Sequence, residues 1–287
     1  MVASIEIMKT TSKPKGLAKI WREIKRAFRK IFYRSFIGRF VKRRRLSKIE
    51  REFPKIFSLT ATVDLLLKGA SICRLGDGEL SIIMGHDICF QAYSEKLAQR
   101  LSSILAFPSN ENLIVGLFPF HTQTGDAVRM PDGFMWNEQY WLDHWKQLRN
   151  VICLKEYGNP FVSRISVFHE VPLEKIRLIW EQKDVVFVVG RNSRFFLEPQ
   201  LFDNIRSAEY IYVKACDCFQ DYDEILNQAL RYDKSKLFFI SCGPTATVLA
   251  FALAQQGYQA LDMGHLPNCY EQYLGKADRP ELTPLVR

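Results

Sequence analysis

No uninterrupted run of about 20 apolar residues, the length that spans a bilayer, occurs in this 287-residue chain. Leu237 to Ala254 comes nearest, and Gly243-Pro244 splits it into a strand and a helix. The start of the chain also lacks the uncharged core and small-residue cleavage site of a secretory signal, so the expected compartment is the cytoplasm. The seven cysteines are odd in number and scattered, which argues against a disulfide framework and for reducing surroundings. None has metal-ligand spacing with a second pair. The Cys216-x-Cys218 pair and Cys242 therefore read as small buried residues. The dinucleotide fingerprint G-x-G-x-x-G and the Gly-Lys-Ser/Thr ending of a Walker loop are both missing, as are internal repeats and any nucleic-acid recognition motif.

What remains is ordinary globular material, 47% hydrophobic and 25% charged, long enough for one large domain or two small ones. The net charge of +9 is unevenly spread. Residues up to Arg51 carry 17 Lys and Arg against 3 Asp and Glu, and the rest carries 23 against 28. A basic segment over residues 1–50 thus precedes a mildly acidic body over 53–287, and the two parts should have different partners.

The basic segment has helical periodicity. Leu17, Trp21, Ile24, Phe28, Ile31, Phe32, Phe36 and Phe40 recur at three and four residues, with Lys19, Arg22, Lys25, Arg26, Arg29 and Lys30 on much of the other face. The cluster Lys42-Arg43-Arg44-Arg45 follows. An aromatic stripe flanked by bases suits an amphipathic helix lying on an anionic membrane surface through residues 15–45. The alternative is a helix that docks its stripe on the body or on another subunit.

From about Phe53 strands and helices alternate. "SICRLG", "NLIVGLF", "DVVFVVG", "EYIYVKA", "KLFFIS" and "YQALDMG" read as strands. "SEKLAQRLSSILAF", with Ser94 as N-cap, Phe134 to Leu148, "LEKIRLIWEQ", "YDEILNQALRY" and "TATVLAFALAQQG" read as helices. This order predicts an α/β, Rossmann-like, mostly parallel sheet covered by helices on both faces. In such sheets ligands bind beyond the carboxyl ends of the strands.

Four loops lie at those ends. "RLGDGE" places Arg74, Gly76, Asp77, Gly78 and Glu79 together. "GRNSR" offers Ser193 and two arginines, Arg191 and Arg194, whose forked guanidinium groups suit phosphate unless they simply face solvent. "SCGPTAT" opens a helix with Gly243, Pro244 and Thr245, and free amides there, with the hydroxyls of Thr245 and Thr247, make a phosphate seat or a plain helix start. "DMGHLP" carries His265, a metal ligand, a phosphate contact or a structural residue. Carboxylates beside phosphate-friendly loops repel phosphates unless a cation lies between them. Mg²⁺ or Mn²⁺ would take oxygens from Asp77 and Glu79 and from a diphosphate. The competing explanation is a turn whose acids cap the next helix.

"ICRLGDGELSIIMGHDICFQAYSEKLAQRL" resembles the opening of bacterial glycosyltransferases of the GT-D fold, first catalogued as a domain of unknown function. The resemblance continues in order through "YGNPFVSR", "DVVFVVGRNSR" and "GPTATVLAFALAQQGYQALDMGH" to "YEQYL", roughly Ser71 to Leu274. Leu75 stands where the family has Phe, and "DCF" where relatives carry Asn-Ala-Phe. The resemblance implies a Rossmann-like domain whose Asp77-x-Glu79 is associated with divalent metal and nucleotide sugar. It implies a UDP-glucose-like donor, hexose transfer to a glycan, glycoprotein or lipid-linked acceptor, and work in bacterial surface polysaccharide or glycoprotein assembly.

On this reading Arg74, Asp77 and Glu79 are catalytic, and Asp77, Glu79 and His265 hold the metal. Gly76, Gly78, Asn159, Ser163, Arg164, Arg191, Ser193, Arg194, Gly243, Pro244 and Thr245 bind the donor. Trp136, Trp141 and Trp145 either stack on sugar or fill the core. Asp126, Glu156 and His121 are conceivable bases for the acceptor hydroxyl. The rival functions are a metal-dependent nucleotide or phosphoester hydrolase, and a non-catalytic nucleotide-sugar-binding module at the membrane.

Overall fold

A computed structural model describes residues 35–122 and 124–282. The aromatic stripe from Leu17 to Phe32 lies outside the described residues.

The described residues form eight strands: β1 (Lys55–Ile56), β2 (Ser71–Leu75), β3 (Leu113–Leu117), β4 (Glu156–Tyr157), β5 (Asp184–Gly190), β6 (Ser207–Val213), β7 (Leu237–Ser241) and β8 (Gln259–Asp262). Six make one parallel sheet in the order β3-β2-β8-β7-β5-β6, and β1 pairs with β4 in a small parallel ribbon. The interior strands read as near-continuous apolar runs because helices cover both faces. Leu237 to Ile240 of β7 are buried, and so are Val185 to Gly190 of β5. The edge strand β6 is half-exposed, with Tyr212 largely in solvent. The sheet is the α/β arrangement expected from the sequence.

The helices that matter below are α1 (Phe36–Glu52), α2 (Leu59–Leu67), α3 (Asp77–Ile83), α4 (Glu95–Leu105), α5 (Trp136–Leu148), α6 (Ile165–Glu170), α7 (Leu173–Arg177), α8 (Pro199–Phe202), α9 (Tyr222–Ala229), α10 (Pro244–Gln255) and α11 (Leu266–Tyr273). Ser94 caps α4 as expected, accepting from Leu97 N, and α4 buries Leu97, Ala98, Leu101, Ile104 and Leu105 along one stripe. The stretch "LEKIRLIWEQ" is helical only over α7, and Trp180 beyond it turns into the core, donating its indole N–H to Leu201 O at 2.7 Å.

Helix α1 runs across residue 50, where the boundary between basic segment and body was expected. Ser35 caps it by accepting from Gly38 N at 3.0 Å. Lys42, Leu46 and Ile49 share one face and are buried against the body. Lys42 is therefore not part of an outward basic patch. Its ammonium reaches Asp132 at 2.7 Å and lies 4.1 Å from the centre of the Phe134 ring. Arg43, Arg44 and Arg45 are exposed, as are Ile37 and Phe40. At the end of α1 Phe53 packs on Phe120, Trp141 and Trp145. Trp141 and Trp145 are thus core residues.

Candidate active site

The carboxyl ends of β2, β5, β7 and β8 open into a cleft of about 640 Å³. Loops from all four strand ends line it, with part of α5, the segment around Arg164 and the tail from Arg279 to Leu282.

Strand β2 delivers Arg74 and then stops at Gly76, where α3 begins. Glu79 reaches back to cap this turn, its Oε2 accepting from Gly76 N at 2.9 Å. The capping explanation therefore accounts for one oxygen of Glu79, but not for Asp77, whose carboxylate stays open to the cleft. Neither acid is in a salt bridge among the described residues. Surrounding protein raises both pKa values. Burial, reinforced by the charge of Asp262 and opposed by Arg74, pushes Glu79 up to about 7. Burial also raises Asp77, against the nearby charge of Arg164. Two acids held this way, unneutralised and facing a cleft, fit a divalent cation, which takes carboxylate oxygens and keeps others for a ligand. Among the described residues no three of His, Cys, Asp and Glu gather to form a metal cage. Asp77, Glu79 and His265 thus make no closed set of protein ligands.

Five cationic residues line the cleft with this pair: Arg74, Arg164, Arg194, Lys214 and Arg279. Arg74 is held by Asp262 and Ser163. Arg164 donates from Nε to Asp126 at 3.1 Å and from Nη1 to Glu281 at 2.6 Å. Asp126 is further tied by the Ser166 amide at 3.0 Å and hydroxyl at 2.5 Å, so it acts as an anchor for Arg164. Ser193 and Arg194 line the cleft, whereas Arg191 is exposed and lies over the Tyr212 ring at 5.3 Å. His265 lines the cleft as a neutral imidazole. Burial, and then the charge of Arg164, lowers its pKa to about 4.

The start of α10 adjoins the same space. Gly243 is its N-cap, with φ +62°, and the ring of Phe90 lies where a Cβ would sit, 2.7 Å away. Pro244 and Thr245 are buried behind it and do not line the cleft. The Thr247 hydroxyl is taken up at 3.0 Å by Asp262 Oδ2 and Arg74 O. A phosphate seat here would consist of backbone at Gly243, not of threonine hydroxyls. Asn159 is also away from the cleft. Fully buried, it accepts from Phe161 N and donates to Phe57 O, so it holds a turn. Among the other candidates, Glu156 is exposed on β4 and His121 is exposed beside Glu50 at 2.8 Å, both outside the cleft. Trp136, unlike the other two tryptophans, lines the cleft with Phe90, Phe118 and Phe161.

Three contributors were not singled out from sequence. Asp262 ends a buried apolar strand with an acid, a signal that was available. Phe90 sits in a loop whose latch is non-local, with Asp217 N donating to Phe90 O at 2.9 Å and Ala92 N donating to Asp217 Oδ1 at 2.7 Å. Glu281 reaches the cleft from a short 3₁₀ turn, Pro280–Leu282, which carries no local signal.

The profile of the family described as "Glycosyltransferase GT-D fold" matches residues 72–282. Glycosyltransferase GlyD of Streptococcus pneumoniae serotype 4 is 32% identical over 228 residues, which is 76% of this chain and 27% of GlyD. A relative from Streptococcus gordonii is 30% identical over 246 residues, 83% of this chain and 36% of its own length. The chain thus spans about a quarter to a third of these relatives. A solved structure described as "The highly conserved domain of unknown function 1792 has a distinct glycosyltransferase fold" superposes with TM-score 0.73 at 32% identity, covering 83% of this chain and 86% of the other.

Proposed function

The chain belongs to the glycosyltransferase GT-D-fold family, and from that premise we propose that it moves a hexose from a nucleoside-diphosphate donor to an acceptor hydroxyl. The observation that carries this reading is the pairing of Asp77 and Glu79, neither in a salt bridge, with Arg74, Arg164 and Arg194 in one cleft. Acids alone would repel a diphosphate and arginines alone would not need the acids. Together they fit a diphosphate carried with a cation.

Asp77 and Glu79 would hold Mn²⁺ or Mg²⁺, which when bound supplies a Lewis acid beside the departing diphosphate. The chain's own groups do the rest. Arg74 and Arg194 place fixed positive charge where negative charge grows on the leaving oxygens. The amino end of α10, open at Gly243, adds the partial positive charge of its amides. Phe90, Phe118, Trp136 and Phe161 form an apolar wall that keeps water from the sugar and gives its carbon face a surface to lie on. Neutral His265 accepts or donates a hydrogen bond at the cleft rim without adding charge.

The donor is read as UDP-glucose-like and the acceptor as a glycan, glycoprotein or lipid-linked sugar of a bacterial surface polymer. No helix among the described residues is long and apolar enough to cross a membrane. Exposed Ile37 and Phe40 beside Arg43, Arg44 and Arg45 support contact of the basic segment with an anionic membrane face, as a peripheral association.

The test is incubation of the full chain with UDP-sugars and Mn²⁺, after a thermal-shift screen for the donor. Sugar transfer to an added glycan acceptor is the expected result. Nucleotide cleavage that never yields a glycosylated product would favour a hydrolase.

A further inference from the structure

We propose that Asp262 is a positioning residue for sugar transfer, fixing the Arg74 guanidinium so that the donor's diphosphate meets a charge already in place. This rests on the transferase reading above and goes beyond the acidic pair.

Asp262 ends β8, next to β2 in the middle of the sheet, and is 2% exposed. Four of the hydrogen bonds it accepts come from Arg74, and a fifth comes from Thr247. Its Oδ1 accepts from Arg74 Nη2 at 2.8 Å and from Nε at 3.2 Å. Its carbonyl accepts from the same Nε at 2.6 Å. Its Oδ2 accepts from the Arg74 backbone N–H at 3.3 Å and faces the Thr247 hydroxyl, which also reaches the Arg74 carbonyl. Ser163 Oγ accepts from Nη1 on the other side. The guanidinium has five N–H groups, and these contacts engage three, leaving one on each Nη free for the cleft that Arg74 lines.

The backbone opposite is shaped for the same purpose. Gly264 has φ +42°, and a Cβ there would lie 2.3 Å from Arg74 Nη2. An arginine seat is thus kept clear by a glycine, braced by a buried carboxylate and closed by a serine. Such a set is poorly explained by stability. A buried ion pair is at best a weak source of it, because desolvation offsets the attraction. Strands β2 and β8 are also already joined by the Ile72↔Leu261 pairing. What the set does achieve is a cation whose rotamer is fixed before the ligand arrives, which removes ordering and reorganisation costs from binding.

The test is a pair of double-mutant cycles on the full chain, read by calorimetric titration of UDP with Mn²⁺ and by kcat and KM for transfer. Asp262→Asn is expected to weaken UDP at least tenfold and to lower kcat, whereas in an Arg74→Ala background it should change neither. Gly264→Ala, which leaves the acid in place, should weaken UDP with Arg74 present and have no further effect once Arg74 is alanine. It keeps the question open to test even if Asp262→Asn fails to fold. Losses that add in both cycles would show that Asp262 and Gly264 act only on the fold and would overturn the assignment. Wild-type chain that binds UDP but transfers no sugar would overturn the transferase reading and leave the coupling measurable. Absence of UDP binding by the wild type would overturn both.

Discussion

Arg164 donates to Glu281, 117 positions later in the chain, across the mouth of the cleft at 2.6 Å. Its other edge is held by Asp126, whose side chain is 6% exposed, whereas that of Glu281 is 50% exposed. One carboxylate is a fixed anchor and the other can be exchanged for a different anion. Glu281→Gln should free the outer edge of Arg164 and tighten UDP by roughly three- to tenfold, a range set by the modest worth of exposed pairs. Calorimetric titration reads it, and unchanged or weaker UDP binding would show that Glu281 does not compete with the ligand.

Removal of the acidic pair has a different signature. Asp77→Asn and Glu79→Gln should each lower kcat by a factor on the order of 100 or more. Both variants should stay folded, since a Gln at 79 can still accept from Gly76 N. Circular dichroism checks the fold, and chelation of the wild type should reproduce the loss.

The direction of the pKa shifts fixes a pH dependence for the metal-free protein. Glu79 is raised from 4.5 to about 7, so the native state binds more protons than the unfolded chain between those values. Its contribution is fully present below about pH 4.5 and is lost as pH rises through 7. Asp77 acts in the same sense. The melting temperature of wild type relative to the Glu79→Gln variant should therefore fall between pH 5 and 7.5. Added Mn²⁺ should reverse the trend, because the cation binds the deprotonated acids. A flat difference across that range would mean that Glu79 ionises normally.

Lys42 is completely enclosed, and its partner Asp132 is 15% exposed. Burial alone would raise the Asp132 pKa, but the Lys42 hydrogen bond, the Phe134 amide and the Lys42 charge together bring it below its usual value. Lys42→Ala should cost about 3 kcal/mol by leaving the acid without its cation. Lys42→Met, which keeps the volume, should cost less in a background where Asp132 is asparagine. Urea melts of the variants give the comparison.

The exposed side of α1 makes a prediction about surfaces. Wild-type chain should co-sediment with anionic vesicles at low salt and detach at high salt. Phe40→Glu should weaken this without changing the melting temperature, because Phe40 is 57% exposed. Equal binding by the variant would remove Phe40 from the contact.

The apolar runs were enough to place all six strands of the main sheet: strands buried on both faces leave a continuous hydrophobic signature, and the half-exposed β6 still shows as a run of β-branched and aromatic residues. They also placed Arg74, Asp77 and Glu79 at a carboxyl end. What they did not reveal was which polar groups turn inward. Thr247 and Asn159 look like ligand contacts in a loop sequence, yet their partners lie in distant segments, Asp262 and Phe57. Lys42 sits among four consecutive bases, and only the packing of α1 on the body singles it out. The Arg164–Glu281 link joins positions too far apart for any local pattern to record.

Helix α1 is clamped to the body by Lys42 and is 17 residues long, a rod of about 25 Å. Because it packs against α5, which carries Trp136, the direction of this rod is fixed relative to the aromatic wall of the cleft, with no hinge between them to absorb a pull.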